Sequence, residues 1–332
     1  MGFQPEIIKQ QPPEEDDVDK LKKQLFQLWE DYNRSPTPET AKKARDLYGE
    51  LSRRLGSEEM NELEEALRLI EKQIRREFME RQERERIKEI INIESEENAE
   101  QIRASLENFR VNLHQLMDAL LFLRDKAFLF LSLFSDNKEN KEIYQKMYEY
   151  IASIVQPIYK KLQSLVEKTK ASRETINFLS SLDNSTRNKV KSLGNVLGIE
   201  VLSQIEPPVY INQKAVFMLW AQRLGDIEIT PTAEGSYIIK GLHNLSDYET
   251  RLKEIINNEE SLNKIKEDIK NAGNQVAKKI EETEKSYDSL IQVLQSVRGG
   301  RENLIDGFIY GYLNVNTNMP LQKWLHELEG YV

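Results

Sequence analysis

The chain has 332 residues with a formal net charge of -9, and both charge signs are abundant throughout. It contains no cysteine, which excludes disulfides, thiolate metal sites and a cysteine nucleophile. A net-acidic chain of this length also argues against nucleic-acid binding over its whole surface, and it has room for more than one compact unit.

The N-terminal region predicts an acidic tail followed by helices. Residues 1–17 are rich in Gln and Pro, then acidic, and lack a secretory pattern, so we expect a disordered tail and cytoplasmic synthesis without a signal peptide or transmembrane segment. Helices are expected over 18–95. Thr37 as N-cap with Pro38 at the first helical position predicts the start of the second helix, and Ser57 that of the third.

The third predicted helix changes character along its length. Its apolar positions are Leu63, Leu67, Ile70 and Ile74. They give way to a run of Glu and Arg at Arg75–Arg86. Mixed charge runs on helices are typical of solvated faces with weak i,i+4 pairs, and they also occur as ionic contact strips for another subunit.

The strongest helical pattern covers Asn98–Phe134, after a break near residues 92–98. Steps of four and three place Ile102, Leu106, Phe109, Leu113, Leu116, Leu120, Leu123, Ala127, Phe130 and Phe134 on one face. Beyond Leu113 the other faces are apolar too, which predicts a helix surrounded by other helices or by lipid. Charges at Asp118 and Arg124–Lys126 favour a buried helix over a membrane span.

Residues 96–198 therefore predict a core helical hairpin. Asp136 and Glu139 resemble a capping pair for its second helix, and Pro157 predicts a bend there. Before the proline the expected buried positions are Ile143, Met147, Tyr150 and Ile154. After it they are Ile158, Leu162, Leu165, Thr169, Ser172, Ile176 and Leu179. A shorter polar helix is expected over Asp183–Asn195.

Residues 199–245 predict a small α+β head. An apolar helix is expected at Gln213–Leu224, and alternation at Ile227–Ile229 and Tyr237–Ile239 predicts a β-hairpin. Helix, helix and hairpin over 187–245 is also the order in the latter half of a winged-helix unit. The predicted helix has too few polar and cationic residues to read base edges.

Residues 246–298 predict a long heptad helix, which starts at a capping pair of Ser246 with Glu249 and ends at Gly299-Gly300. The fold class expected from these elements is mainly α. It is an elongated antiparallel helical bundle or coiled coil with a small α+β (β-hairpin) insertion.

The segment 299–332 is rich in aromatic residues, with an expected loop at Asn314–Pro320. Such side chains either dock onto the chain's own bundle or anchor a partner. The candidate partner-binding residues are Phe308, Tyr310, Tyr312, Trp324 and Tyr331.

The sequence predicts no catalytic, metal or cofactor site. His114, His243 and His326 lie far apart in the sequence, which argues against a metal site that they would share. Phosphate-binding and dinucleotide-binding glycine patterns are absent from the sequence. We therefore expect a protein that is not an enzyme.

The leading functional hypothesis is a non-enzymatic structural or assembly protein. It would form a homo-oligomer or bridge protein partners through its long helices and terminal segments, and a virion or appendage component is one form of such a particle. One alternative is a soluble helical protein that inserts into or remodels membranes through Leu116–Phe134. Another is a coiled-coil DNA-associated factor that uses 187–245.

Overall fold

The computed structural model describes residues 15–135, 141–202, 227–231, 237–241 and 257–332, together with residues 207 and 254. The described chain is mainly α and bundle-like, as predicted. It divides into two compact units, Met1–Glu85 and Arg86–Val332. The predicted capping pair at Asp136, the helix at Gln213–Leu224 and the capping pair at Ser246 lie outside the described residues.

The helices and strands follow one another in a simple order. The first unit contains α1 (Glu15–Arg34), α2 (Pro38–Arg54) and most of α3 (Ser57–Ile91). The second contains α4 (Glu96–Ser135), α5 (Lys141–Thr169), α6 (Arg173–Ser181), α7 (Asn184–Val196), α8 (Ile199–Leu202), β1 (Ile227–Pro231), β2 (Tyr237–Gly241), α9 (Glu259–Ser296), α10 (Glu302–Asp306), a π-helix (Gly307–Leu313) and α11 (Asn314–Glu329).

The start of α2 confirms the predicted cap. The Thr37 hydroxyl accepts the backbone N–H of Thr40 at 3.1 Å, and the Thr40 hydroxyl accepts that of Thr37 at 3.2 Å, so two donors that the helix leaves open are satisfied. Pro38 occupies the first helical position. The assignment of residues 15–17 to the tail is wrong, because they form the first turn of α1, where the helix dipole favours acids.

The break before the core helix is also where the sequence predicts it. The helix α3 ends at Ile91, and Asn92 has a φ of 58°, a left-handed conformation that asparagine tolerates better than most residues. The guanidinium of Arg301 donates to the Asn92 carbonyl at 2.9 Å. The turn is thereby tied to the chain that follows α9.

The helix α4 supplies the core of the second unit. Its predicted apolar face from Ile102 to Phe130 is buried at every position. The helix α9 packs along it in the opposite direction: Asn112 accepts from Thr283, Gln115 from Lys279, and Asp268 lies 3.6 Å from the Lys126 ammonium. Residues later in α4 thus contact residues earlier in α9, so the two helices are antiparallel.

The helices α5 and α11 complete the bundle. Tyr150 donates to the Lys266 carbonyl at 2.7 Å, and Lys168 lies 2.6 Å from Asp288, so α5 runs parallel to α9. The helix α11 runs antiparallel to α5. Its Asn318 lies near Thr169, and its Glu329 accepts from Tyr159 at 3.0 Å.

The predicted apolar face of α5 needs two corrections. Ile151 and Val155 are buried, while Tyr150 and Ile154 lie at the margin and Ile143 is exposed. The face also stops at Thr169, because the chain ends α5 there and Ser172 caps α6 by accepting the N–H of Thr175 at 3.1 Å. Because Ser172 begins a new helix, the buried face of α5 does not extend to Ile176, which is exposed.

The strands β1 and β2 pair antiparallel, with Ile229 opposite Ile239. They lie in the segment where the sequence predicts a hairpin. The predicted polar helix before this region is present as α7, with Asp183 as its N-cap. Gly198, just after α7, has a φ of +67°.

The expected loop at Asn314–Pro320 is wrong, because these residues open α11 directly after the π-helix. Their polar side chains are used inside the bundle. The buried Tyr287 hydroxyl donates to the Asn314 side chain, and the Asn318 amide donates to the Val166 carbonyl at 2.5 Å. Asparagines that signal a loop when solvated are compatible with a helix when tertiary hydrogen bonds satisfy them.

Candidate functional site

A groove of about 970 Å³ lies in the first unit, beside the turn between α1 and α2. Asn33 and Arg34 contribute the end of α1, and Pro36 contributes the turn. The helix α3 provides the remaining wall, which consists of Glu71, Ile74, Arg75, Glu77, Phe78, Glu80, Arg81 and Arg84. The floor is apolar and the rim is charged, a composition that suits a protein segment better than a small polar substrate.

The groove exists because α3 continues where its cover ends. Leu25, Leu51, Leu63 and Leu67 form the buried interior of this unit. The Trp29 indole holds α1 against α3 by donating to the Leu67 carbonyl at 3.1 Å. The chain then reverses between Arg34 and Pro38, so nothing from these two helices continues along α3 beyond that point.

Phe78 marks the place where cover is lost. It lies four residues after the buried Ile74, on the same side of α3, and is 59% exposed. Met79 beside it is 52% exposed. Large apolar side chains exposed next to one another are a feature of binding surfaces more than of solvated helices.

We name residues 75–85 the uncovered stretch of α3. Among the residues that the structure describes, none in this stretch is buried. Its charges form local pairs: Arg76 lies 2.9 Å from Glu80, and Arg34 of α1 lies 3.0 Å from Glu77. Exposed pairs of this kind contribute little to stability.

The predicted aromatic residues of the C-terminal segment lie in and around the core of the second unit. Phe308 and Trp324 are buried, and Tyr310, Tyr312 and Tyr331 are half-buried. The rings of Phe308 and Tyr312 stack with centroids 6.1 Å apart. In this conformation a partner would reach only the three tyrosines, and partner binding by them stays a prediction.

Two of these tyrosines have perturbed acidities. Burial, followed by the nearby Glu327 carboxylate, raises the pKa of Tyr331 to about 12. Burial and the Glu200 carboxylate also raise the pKa of Tyr312. Both phenols therefore stay protonated at neutral pH, which suits structural side chains and not general bases.

The described histidines lie apart. His114 is half-buried on α4, whereas His326 is exposed at the end of α11, 3.0 Å from Glu329. His243 lies outside the described residues. Within the part of the chain that the structure describes, no three acidic or histidine side chains converge to hold a metal ion.

The segment Leu116–Phe134, for which membrane insertion is the alternative hypothesis, belongs to α4. Leu116, Leu120 and Leu123 of this helix are buried against the bundle. Of the helices in the described ranges, none has a segment long and apolar enough to cross a bilayer.

Comparisons with models of known protein families, with curated proteins and with solved structures find no match to this chain.

The groove was not predicted from the sequence, although the sequence carries a signal for it. Phe78 continues the four-residue spacing of Ile70 and Ile74, so the apolar side of α3 extends into the charge run. What the sequence could not supply was the point at which α1 and α2 cease to cover α3. That point depends on how the three helices pack.

Proposed function

We propose that the protein is a non-enzymatic assembly protein that forms a homo-oligomer through the uncovered stretch of α3. The observation that carries the proposal is the exposure of Phe78 and Met79 in a stretch with no buried residue among those described. Phe78 in the wall of the groove and Met79, the next residue of α3, provide exposed apolar anchors, and the surrounding arginines and glutamates provide a polar rim. This is the usual anatomy of a protein–protein interface.

The three half-buried tyrosines of the C-terminal segment and the exposed faces of the other helices provide further surface for contacts in such an assembly. They are secondary to α3 in this proposal, because Phe308 and Trp324 are already occupied by the chain's own core.

The test is the native mass of the full chain over a range of concentrations, measured by light scattering and sedimentation. We expect the native chain to be oligomeric at micromolar concentration and F78E/M79E to be monomeric with an unchanged helical circular-dichroism spectrum. The matched control is L69E, which alters an exposed apolar residue of α3 outside the uncovered stretch.

A native chain that stays monomeric at high concentration would overturn the proposal. An oligomer that F78E/M79E leaves unchanged would overturn the assignment to this stretch of α3.

A further inference from the structure

The uncovered stretch carries an ordered charge pattern on one side of the helix. Glu77, Glu80, Arg81 and Arg84 are spaced by three, one and three residues, so all four side chains project towards the same side of α3. In chain order the signs are two negative, then two positive. Each of the four side chains is at least partly exposed.

We propose that this face binds the same face of a second copy, with the two α3 helices antiparallel and a two-fold axis between Glu80 and Arg81. Glu77 then lies at the level of the other copy's Arg84, and Glu80 at the level of the other copy's Arg81. An isologous contact repeats each pairing twice, so four opposite-charge pairs form. The inference rests on the proposed function, for which it names the partner and the orientation.

The reverse orientation does not fit the pattern. In a parallel pair in register, each glutamate would face the same glutamate and each arginine the same arginine, and like charges at that position are unfavourable. The order of negative and positive charges along the face therefore favours a second copy as the partner and an antiparallel orientation of the two helices.

The pairs already present in the chain support the exchange. Arg34 contacts Glu77 and Arg76 contacts Glu80, so the acids of this face already accept guanidinium groups at 3.0 Å and 2.9 Å. Because exposed pairs are weak, swapping one arginine for another costs little. Charge pairs of this kind set orientation more than affinity, and the exposed Phe78, about 100° round the helix from Glu77, lies at the edge of the face and supplies apolar area that association needs.

Charge reversal tests the partner. In E77R/E80R the face carries only positive charge, and in R81E/R84E only negative charge, so each variant alone should be monomeric. An equimolar mixture should restore a mixed oligomer. The matched control R68E/K72E reverses two exposed cations on another side of α3 and should leave the native mass unchanged. Helical content and thermal unfolding of each variant verify that it is folded.

Single cysteines test the orientation, because the chain has none of its own. In the antiparallel pair position 81 lies near the two-fold axis, so R81C should form a disulfide-linked dimer. The control Q73C lies on the same face but about 22 Å from its copy, given a rise of about 1.5 Å per residue, and should not cross-link. A parallel pair would cross-link both variants equally.

The outcomes separate the two proposals. A monomeric native chain overturns both. A native oligomer that persists in both charge-reversed variants, a mixture that stays monomeric, or equal cross-linking of R81C and Q73C overturns this inference and leaves the proposed function standing. Loss of assembly in each variant, recovery in the mixture and selective cross-linking of R81C support it.

Discussion

The guanidinium of Arg124 lies over the indole ring of Trp324, with its Cζ atom 5.6 Å from the ring centroid, and both side chains are buried. Asp125 accepts from the same guanidinium at 2.9 Å, and a Glu327 oxygen lies 3.8 Å away. A cation in the middle of the most apolar helix is thus stabilised by an aromatic face and two acids. It ties α11 to α4.

Removing this cation should destabilise the second unit. We expect R124A to lower the free energy of unfolding by about 2–4 kcal/mol, because a large buried side chain and its contacts to α11 are lost. Urea denaturation followed by circular dichroism measures the change. The control K270A alters an exposed cation on α9 and should change stability by less than about 0.5 kcal/mol. Equal midpoints for R124A and the native chain would contradict this role.

Close packing between α7 and the π-helix should make Gly194 intolerant of a side chain. A Cβ atom there would clash with the Tyr312 ring, so we expect G194A to cost about 1–3 kcal/mol. The contrasting variant G49A has open space around it within α2 and should stabilise by about 0.5–1 kcal/mol.

A double-mutant cycle checks that the Tyr312 ring causes the cost of G194A. In a Y312A background the same glycine substitution should be much less harmful. Undiminished destabilisation in that background would place the clash elsewhere.

The cap of α2 should be worth a measurable amount to the first unit. T37A removes the oxygen that accepts the Thr40 N–H, and we expect a loss of about 1 kcal/mol. T37S keeps the hydroxyl and should retain most of the stability. Thermal denaturation of both variants decides the matter, and identical melting of T37A and T37S would show that the cap contributes nothing.

Stability at high pH should depend on Tyr331. Its folded-state pKa is about 12, and an unfolded tyrosine ionises near 10. Between these values the unfolded chain releases a proton that the folded chain keeps. The free energy of unfolding therefore falls as pH rises from about 10 to 12, and the contribution is complete below pH 10. Y331F should show a shallower fall in denaturation midpoints over that interval. The same slope in both proteins would argue against this linkage.

The parts of the fold that could be predicted from sequence are those that local spacing determines. The buried face from Ile102 to Phe130 follows from helical periodicity alone, and the start of α2 follows from Thr37 and Pro38. Both depend on residues within a few turns of each other. Interactions of that kind are visible in a single sequence.

The parts that could not be predicted depend on partners that are distant in the chain. Asn318 is compatible with a helix because the Thr169 hydroxyl and the Val166 carbonyl accept hydrogen bonds from its amide. The residues around Asn318 in the sequence do not indicate these distant partners. Ser172 looks like a continuation of a packing face until its hydroxyl is seen to cap α6. The groove at Phe78 likewise depends on where α1 stops.

The π-helix at Gly307–Leu313 sets the rotational phase of everything after it. Its wider turns hold more residues than α-helical turns do. If one residue were deleted and the remaining turns kept their width, the following helix would turn by the angle that one residue advances, which is less than the angle of about 100° per α-helical residue. Trp324 and Leu328 would then swing out of the bundle while the sequence of α11 stayed intact. In this stretch an insertion or a deletion is therefore a more drastic change than most substitutions.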